Sequence, residues 1–374
     1  MSASRRAEQG GAGGDHGRGH DDQAGVGREQ DSSNVRTAAS YADHGHQQAD
    51  HEHAENGHGD EHHHHHHRHA DRSGSAPSLR LFSPAGALRS VLPLRRAAAR
   101  LAKHGFVVDI DESATARVQR FAGSDDVRLA TLHRVADLRP GVALATRGGY
   151  GLTRLLDRID WAAIAASVEA GTRWVGHSDV TSLQLGMLAH AGGVTWAGPL
   201  ACDDFGRSSA DGGVDDVTEA CFLEAMEGSL EAVGFRTDAG FDGLDVSGTL
   251  WGGNLAIVNS LLGTPHFPRI DGGILFLEDV NEHPYRIERS LLQLRQAGVL
   301  DAQRAVLLGA FTGWKKSPLD KGYGLADAID HVRSTTKTPI LGGLPFGHVP
   351  TKVMLPVGQR VQLLVDRRDA FIGW

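Results

Sequence analysis

From residue 79 onward, short apolar runs alternate with stretches whose apolar residues recur at helical spacing. LRLFSP (79–84) reads as a strand running into a turn, and Leu94, Ala97, Ala98, Leu101 and Ala102 then share one face of a helix that Gly105 can close. FVVDI (106–110), VALATRGG (142–149) and RWVG (173–176) predict further strands, with helices expected over about 126–135, 161–168 and 179–190. Strands alternating with helices predict a parallel, doubly wound sheet. A helix over 215–226 closes this part, and the Gly- and Asp-rich TDAGFDGLDVSG (237–248) reads as a linker. Beyond it the spacing predicts a helix in GGNLAIVNSLLG (252–263), a buried strand in GILFLED (273–279) and an amphipathic helix over 284–296. Short strands are expected in AVLLGAF (305–311), PILGGLPFG (339–347), KVMLP (352–356) and RVQLLV (360–365). The expected architecture is α/β: a parallel-sheet domain over 78–236, a linker over 237–248 and a smaller C-terminal α+β domain with a β-rich core over 249–374. No internal repeat is evident.

Composition sets the first 77 residues apart. They carry 14 of the 22 histidines, 13 Asp/Glu against 7 Arg, and almost no Leu, Ile, Val or Phe. A segment so poor in apolar surface cannot offset its ordering entropy, so a disordered His-rich tail is expected over 1–77. Without those 7 basic and 13 acidic residues, the chain's 38 and 46 fall to 31 and 33, a net charge of −2. That near-neutral balance speaks against nucleic acid or a charged membrane surface as partner. The start MSASRRAEQGGAGG has no apolar stretch behind its arginines, no apolar run approaches the ~20 residues that span a bilayer, and two cysteines, Cys202 and Cys221, exclude a disulfide scaffold. A cytoplasmic protein is expected. A hexahistidine run (62–67) alone reads as a purification tag, but within HGHQQADHEHAENGHGDEHHHHHHRHA it reads as a native tail able to hold divalent metal.

The chain has 48 glycines in 374 residues, nearly twice the usual ~7%, and they cluster at the ends of apolar segments. GHSD (176–179) places Ser178 on a strand-to-helix turn, the setting of a nucleophile elbow, with the Asp179 N–H positioned for an oxyanion. The plainer alternative is a helix N-cap. Glu278 and Asp279 end an apolar strand and are candidate acids, each of which could equally cap the next turn. His348 lies in a Gly/Pro-punctuated loop, with His177, His190, His283 and His331 as competitors for a base. RGGYG (147–151) offers free backbone N–H groups but neither a Walker motif nor G-x-G-x-x-G.

The segments RGGYGLTRLLDRIDW, VGHSDVTSLQL, SGTLWGGNLAIVNSLLGTP, ILFLEDVNEHPYRIERSLLQL and LPFGHVPTKVMLPVG, in order from about Leu79 to the C-terminus, resemble the L,D-carboxypeptidase family of serine peptidases, most of all its muramoyltetrapeptide branch. The resemblance implies a flavodoxin-like N-terminal domain, a homodimer, no cofactor and no metal in the active site. It implies Ser178 as nucleophile, Glu278 as acid and His348 as base, with an oxyanion hole from the backbone of Asp179 and Gly149. The reaction implied is release of the terminal D-alanine from cytoplasmic muropeptide tetrapeptides in peptidoglycan recycling. A free carboxylate on the substrate calls for a cation, for which Arg147 and Arg286 are the candidates. Arg286 could instead pair with Glu282 at i,i+4. Two alternatives remain: a microcin C immunity-type peptidase, and a non-catalytic protein whose His-rich tail is the function. Nothing in the resemblance covers residues 1–77.

Overall fold

The computed structural model describes residues 35–37 and 76–374. The tail expectation otherwise lies outside the described residues. The one described piece of it, β1 (Val35–Thr37), adds an antiparallel strand to β7 (Ala232–Arg236).

Five parallel strands form the first sheet: β2 (Ser78–Phe82), β3 (Val107–Ile110), β4 (Val142–Ala145), β5 (Arg173–Gly176) and β6 (Thr195–Ala197), in the spatial order β6-β5-β4-β2-β3. The intervening helices begin where local chemistry starts them. Pro93 opens α1 (Leu92–Lys103). Ser124 caps α2 (Asp125–Leu138), its Oγ accepting from Val127 N at 3.2 Å, and Asp160 caps α3 (Trp161–Glu169) through Ala163 N at 3.1 Å. After β5 a single 3-10 turn leads into α4 (Thr181–His190), and α5 (Asp216–Glu227) follows, capped by Asp215.

An eight-stranded sheet makes the second layer, in the order β1-β7-β14-β13-β8-β9-β10-β11. One half of it, ending at the β11 edge, is parallel: β8 (Asp245–Asn254), β9 (Ile274–Val280), β10 (Ala305–Thr312) and β11 (Ile340–Leu341). β13 (Arg360–Asp366) and β14 (Asp369–Gly373) join it antiparallel. Helices α6 (Leu255–Leu261), α7 (Pro284–Gln296) and α8 (Leu325–Ser334) lie between the strands.

The layers are less separate than the sequence suggests. β7, expected within the first domain, belongs to the second sheet, and the expected linker already contains the start of β8. Conversely β12 (Leu355–Val357) returns to the first sheet and pairs antiparallel with β6. One apolar cluster accordingly spans both layers, joining Leu81 and Val175 to Leu250 and Phe276. The expected strands at 339–347 and 352–356 shrink to Ile340–Leu341 and Leu355–Val357. At the first of these, Gly343, at φ +90°, turns the chain so close to the end of β7 that a Cβ there would stand 2.2 Å from Arg236 O.

Candidate active site

Ser178 stands just beyond the carboxyl end of β5, where the buried Trp174–Gly176 stretch breaks into the 3-10 turn before α4. Its φ of +63° is unusual for a residue with a Cβ and turns the hydroxyl out of the helix start. Ser178 caps no helix: its Oγ lies 3.1 Å from His348 Nε2. On the other side of the imidazole, His348 Nδ1 lies 2.7 Å from Glu278 Oε2. Glu278 is fully buried, and its second oxygen accepts from Asn254 Nδ2 at 3.2 Å. With Nδ1–H given to the carboxylate, Nε2 is left as the acceptor facing the serine.

Two glycines bring the histidine loop onto the acid. A Cβ at Gly309 would stand 2.3 Å from Phe346 O, and Ala310 N donates to that same carbonyl at 2.8 Å, at the register shift between Leu308 and Phe311 in β10. Gly347, at φ +140°, then passes over Ala310 and the Glu278 Cβ. A bulged strand and a glycine thus set His348 above the end of β9.

Burial disfavours the imidazolium, but the hydrogen bond and charge of Glu278 outweigh it and lift the His348 pKa above its ordinary value. His177 packs edge-on against His348, ring centroids 5.1 Å apart, with Nδ1 2.8 Å from Gly198 O. Burial, then Lys352 and His348, drive its pKa well down, so it stays neutral.

Of the two carboxylates at the end of β9, Asp279 takes the capping role. It accepts from Ala256 N at 2.9 Å and Val280 N at 2.8 Å, and burial raises its pKa to about 6. Asn254 donates to both acids, at 3.2 and 3.0 Å, a link that sequence reasoning did not single out. The competing histidines are occupied elsewhere: His190 with His266 and Trp161, and His283 as the cap of α7 and partner of Asp320; His331 is exposed on α8.

The RGGYG loop lies directly against the nucleophile. A Cβ on Gly148 would come within 2.7 Å of Ser178 Oγ and 3.4 Å of Asp179 N. Gly148 O accepts from Gly86 N at 2.9 Å, and since C=O and N–H point opposite ways in a trans peptide, the Gly149 N–H is directed away from Gly86. The buried Asp179 side chain pins this loop, accepting from Leu152 N at 2.8 Å, and burial raises its pKa to about 6. Arg147 is anchored beside the loop by Ala87 O at 2.8 Å. Arg286 is half-exposed on the first turn of α7, 3.8 Å from Glu282 and beside Tyr285, so the i,i+4 pair is what forms there.

Gly148→Ala is expected to push the Ser178 hydroxyl off its line to His348 and lower kcat by about 100-fold or more, and, since the new Cβ would also stand 2.7 Å from Ser178 Cβ, to lower the melting temperature. Steady-state kinetics showing a near-normal kcat would mean that the close approach has no catalytic consequence.

Among the described residues no cluster of His, Cys, Asp and Glu is arranged to hold a metal ion, and no helix is long and apolar enough to cross a membrane.

The profile of the LD-carboxypeptidase N-terminal domain matches residues 79–198, and that of the LD-carboxypeptidase C-terminal domain matches residues 247–363. The crystal structure of muramoyltetrapeptide carboxypeptidase from Oxalobacter formigenes superposes with a TM-score of 0.70 at 37% identity, covering 79% of this chain and 99% of that one. The murein tetrapeptide carboxypeptidase of Pseudomonas aeruginosa is 29% identical over 296 residues, 77% of this chain and 93% of the relative. More distantly, the microcin C7 self-immunity protein MccF of Escherichia coli is 25% identical over 262 residues, 61% of this chain and 72% of the relative.

Proposed function

Since this chain belongs to the LD-carboxypeptidase family, we propose that it is a serine peptidase that releases the terminal D-alanine from muropeptide tetrapeptides, a cytoplasmic step of peptidoglycan recycling carried out by a homodimer. The observation that supports a serine mechanism is the continuous chain Ser178 Oγ, His348 Nε2, His348 Nδ1, Glu278 Oε2, with contacts of 3.1 and 2.7 Å.

In this mechanism Ser178 Oγ attacks the carbonyl carbon of the L-centre that precedes D-alanine. His348 Nε2 takes the hydroxyl proton, and the buried Glu278 carboxylate stabilises the imidazolium. The N–H groups of Asp179 and Gly149 receive the oxyanion, the first of them at the start of a helical turn that favours negative charge. As the intermediate collapses the C–N bond breaks, His348 returns the proton to the departing nitrogen, and D-alanine leaves. Water, deprotonated by His348, then hydrolyses the acyl-serine.

Because the base must be neutral, kcat/KM is expected to rise with pH as His348 loses its proton. The raised pKa places the midpoint above ~6.5. A rate profile flat from about pH 5 to 8 would rule His348 out as the base.

The substrate is tested by measuring free D-alanine from a disaccharide-tetrapeptide, its pentapeptide and its C-terminal amide, beside a microcin-type peptidyl nucleotide. Release from the tetrapeptide alone is expected. Efficient cleavage of the nucleotide with an intact tetrapeptide would instead assign the immunity-type activity.

A further inference from the structure

A cavity of about 230 Å³ opens beside His348 and is lined by His177, Asp203, Asp204, Arg207 and Lys352. Its acidic wall comes from an uncommon element: Ala201–Phe205 forms one π-helical turn, a conformation that recurs at functional sites, and it carries two consecutive aspartates to the cavity. Asp204 and Lys352 satisfy each other. Lys352 Nζ donates to Asp204 Oδ1 and to Val349 O, and Asp204 Oδ2 accepts from Leu200 N at 2.7 Å.

The other two charges are not matched in this way. Among the described residues Asp203 makes no ion pair or hydrogen bond through its carboxylate. Nor, among the described residues, has Arg207 an acidic partner; its Nη2 donates to the Asp211 carbonyl. One carboxylate and one guanidinium therefore line the same small space without an ion pair between charged side chains: Asp203 is exposed, with Arg147, Lys352 and Arg89 acting on it only through their fields, and Arg207 is half-buried.

The cavity also lies on a particular side of the reaction. His348 must come within hydrogen-bond reach of the departing nitrogen to protonate it, and the cavity is bordered by that same imidazole and by the next residue, Val349. At about 230 Å³ it falls below the roughly 300–1,000 Å³ typical of sites for drug-sized ligands, room for one small residue.

We propose that this cavity is the leaving-group subsite, in which Arg207 binds the terminal carboxylate of the departing amino acid and Asp203 binds the ammonium that its nitrogen becomes. The assignment rests on the peptidase reading above. It puts Arg207 ahead of Arg147 and Arg286 as the carboxylate-binding cation, because Arg207 lines the cavity and the other two do not. A guanidinium suits the task because its fork can hold a carboxylate through two hydrogen bonds. At neutral pH the free amino acid carries both charges, so it should bind better than the substrate's neutral amide end and act as a product inhibitor.

The test separates the subsite from the overall function. Calorimetry on the full chain measures binding of free D-alanine, D-alaninamide, which lacks the carboxylate, and D-lactate, which lacks the ammonium. D-alanine is expected to bind at least about tenfold tighter than either analogue. Arg207→Met should weaken D-alanine and D-lactate but not D-alaninamide, and Asp203→Asn should weaken D-alanine and D-alaninamide but not D-lactate. Arg207→Lys should recover part of the loss, which separates recognition from misfolding. If the tetrapeptide is hydrolysed yet the three ligands bind alike, or the variants leave their affinities unchanged, the subsite is wrong and the peptidase stands. If D-alanine binds with this charge pattern and the tetrapeptide is not hydrolysed, the charge-binding site stands and the assigned reaction fails.

Discussion

Ser178→Ala is expected to lower kcat by ~10⁴-fold or more while the protein stays folded. Only the hydroxyl is removed, and its one hydrogen bond among the described residues, 3.1 Å to His348 Nε2, holds no secondary structure together. Alanine meets the same backbone cost at φ +63° as serine does, so the turn loses no conformational advantage. The melting temperature should therefore move by no more than a few degrees. Turnover within about tenfold of the unaltered protein, measured on a preparation free of other peptidases, would remove Ser178 from the role of nucleophile.

Glu278→Gln is the second large effect, and it separates orientation from mere presence of a polar group. Glu278 is fully buried, with Oε2 on His348 Nδ1 at 2.7 Å and Oε1 receiving the Asn254 amide. Since Asn254 Nδ2 is a donor, a glutamine must place its oxygen there and turn its own NH₂ toward His348. That NH₂ requires Nδ1 to accept, which moves the imidazole proton to Nε2 and leaves no base facing Ser178. A loss of ~10⁴-fold in kcat is expected on this ground. The pH profile gives a second readout: without the carboxylate's charge, the His348 pKa falls, and whatever activity remains should reach its midpoint at lower pH. A variant with near-normal kcat and an unmoved midpoint would show that Glu278 neither orients nor charges the base.

Asn254 joins the acids of the site to the start of α6. Its Oδ1 caps that helix through Ile257 N at 3.2 Å while its Nδ2 bridges Glu278 and Asp279. The GGN segment reads in the sequence as a glycine-rich helix start. The bridging role is not visible there, because both partners lie more than 20 residues away on another strand.

Periodicity and punctuation settled much of this protein locally. Apolar spacing with Pro93, Ser124, Asp160 and Asp215 placed the helices of the first layer, and Pro284 placed α7, since capping and propensity act within a few residues of the element they start. Alternation of strands and helices yielded the parallel sheet, and the order of Ser178, Glu278 and His348 in their motifs named the candidates. The choices among them were made by contacts across 70 and 170 residues. Residue chemistry and spacing left Glu278 level with Asp279 and His348 among several histidines, and it was the family resemblance that chose Glu278 and His348. Only the packing shows Asp279 spent on two backbone N–H groups, while the Gly309 bulge and Gly347 carry His348 onto Glu278. The same limit explains why strands are shared between the layers: β7 and β12 exchange layers because their partners, β14 and β6, are distant in sequence. A hydrogen-bonded strand pair is selected by the shared core on which both faces pack, and no local pattern records which core that will be.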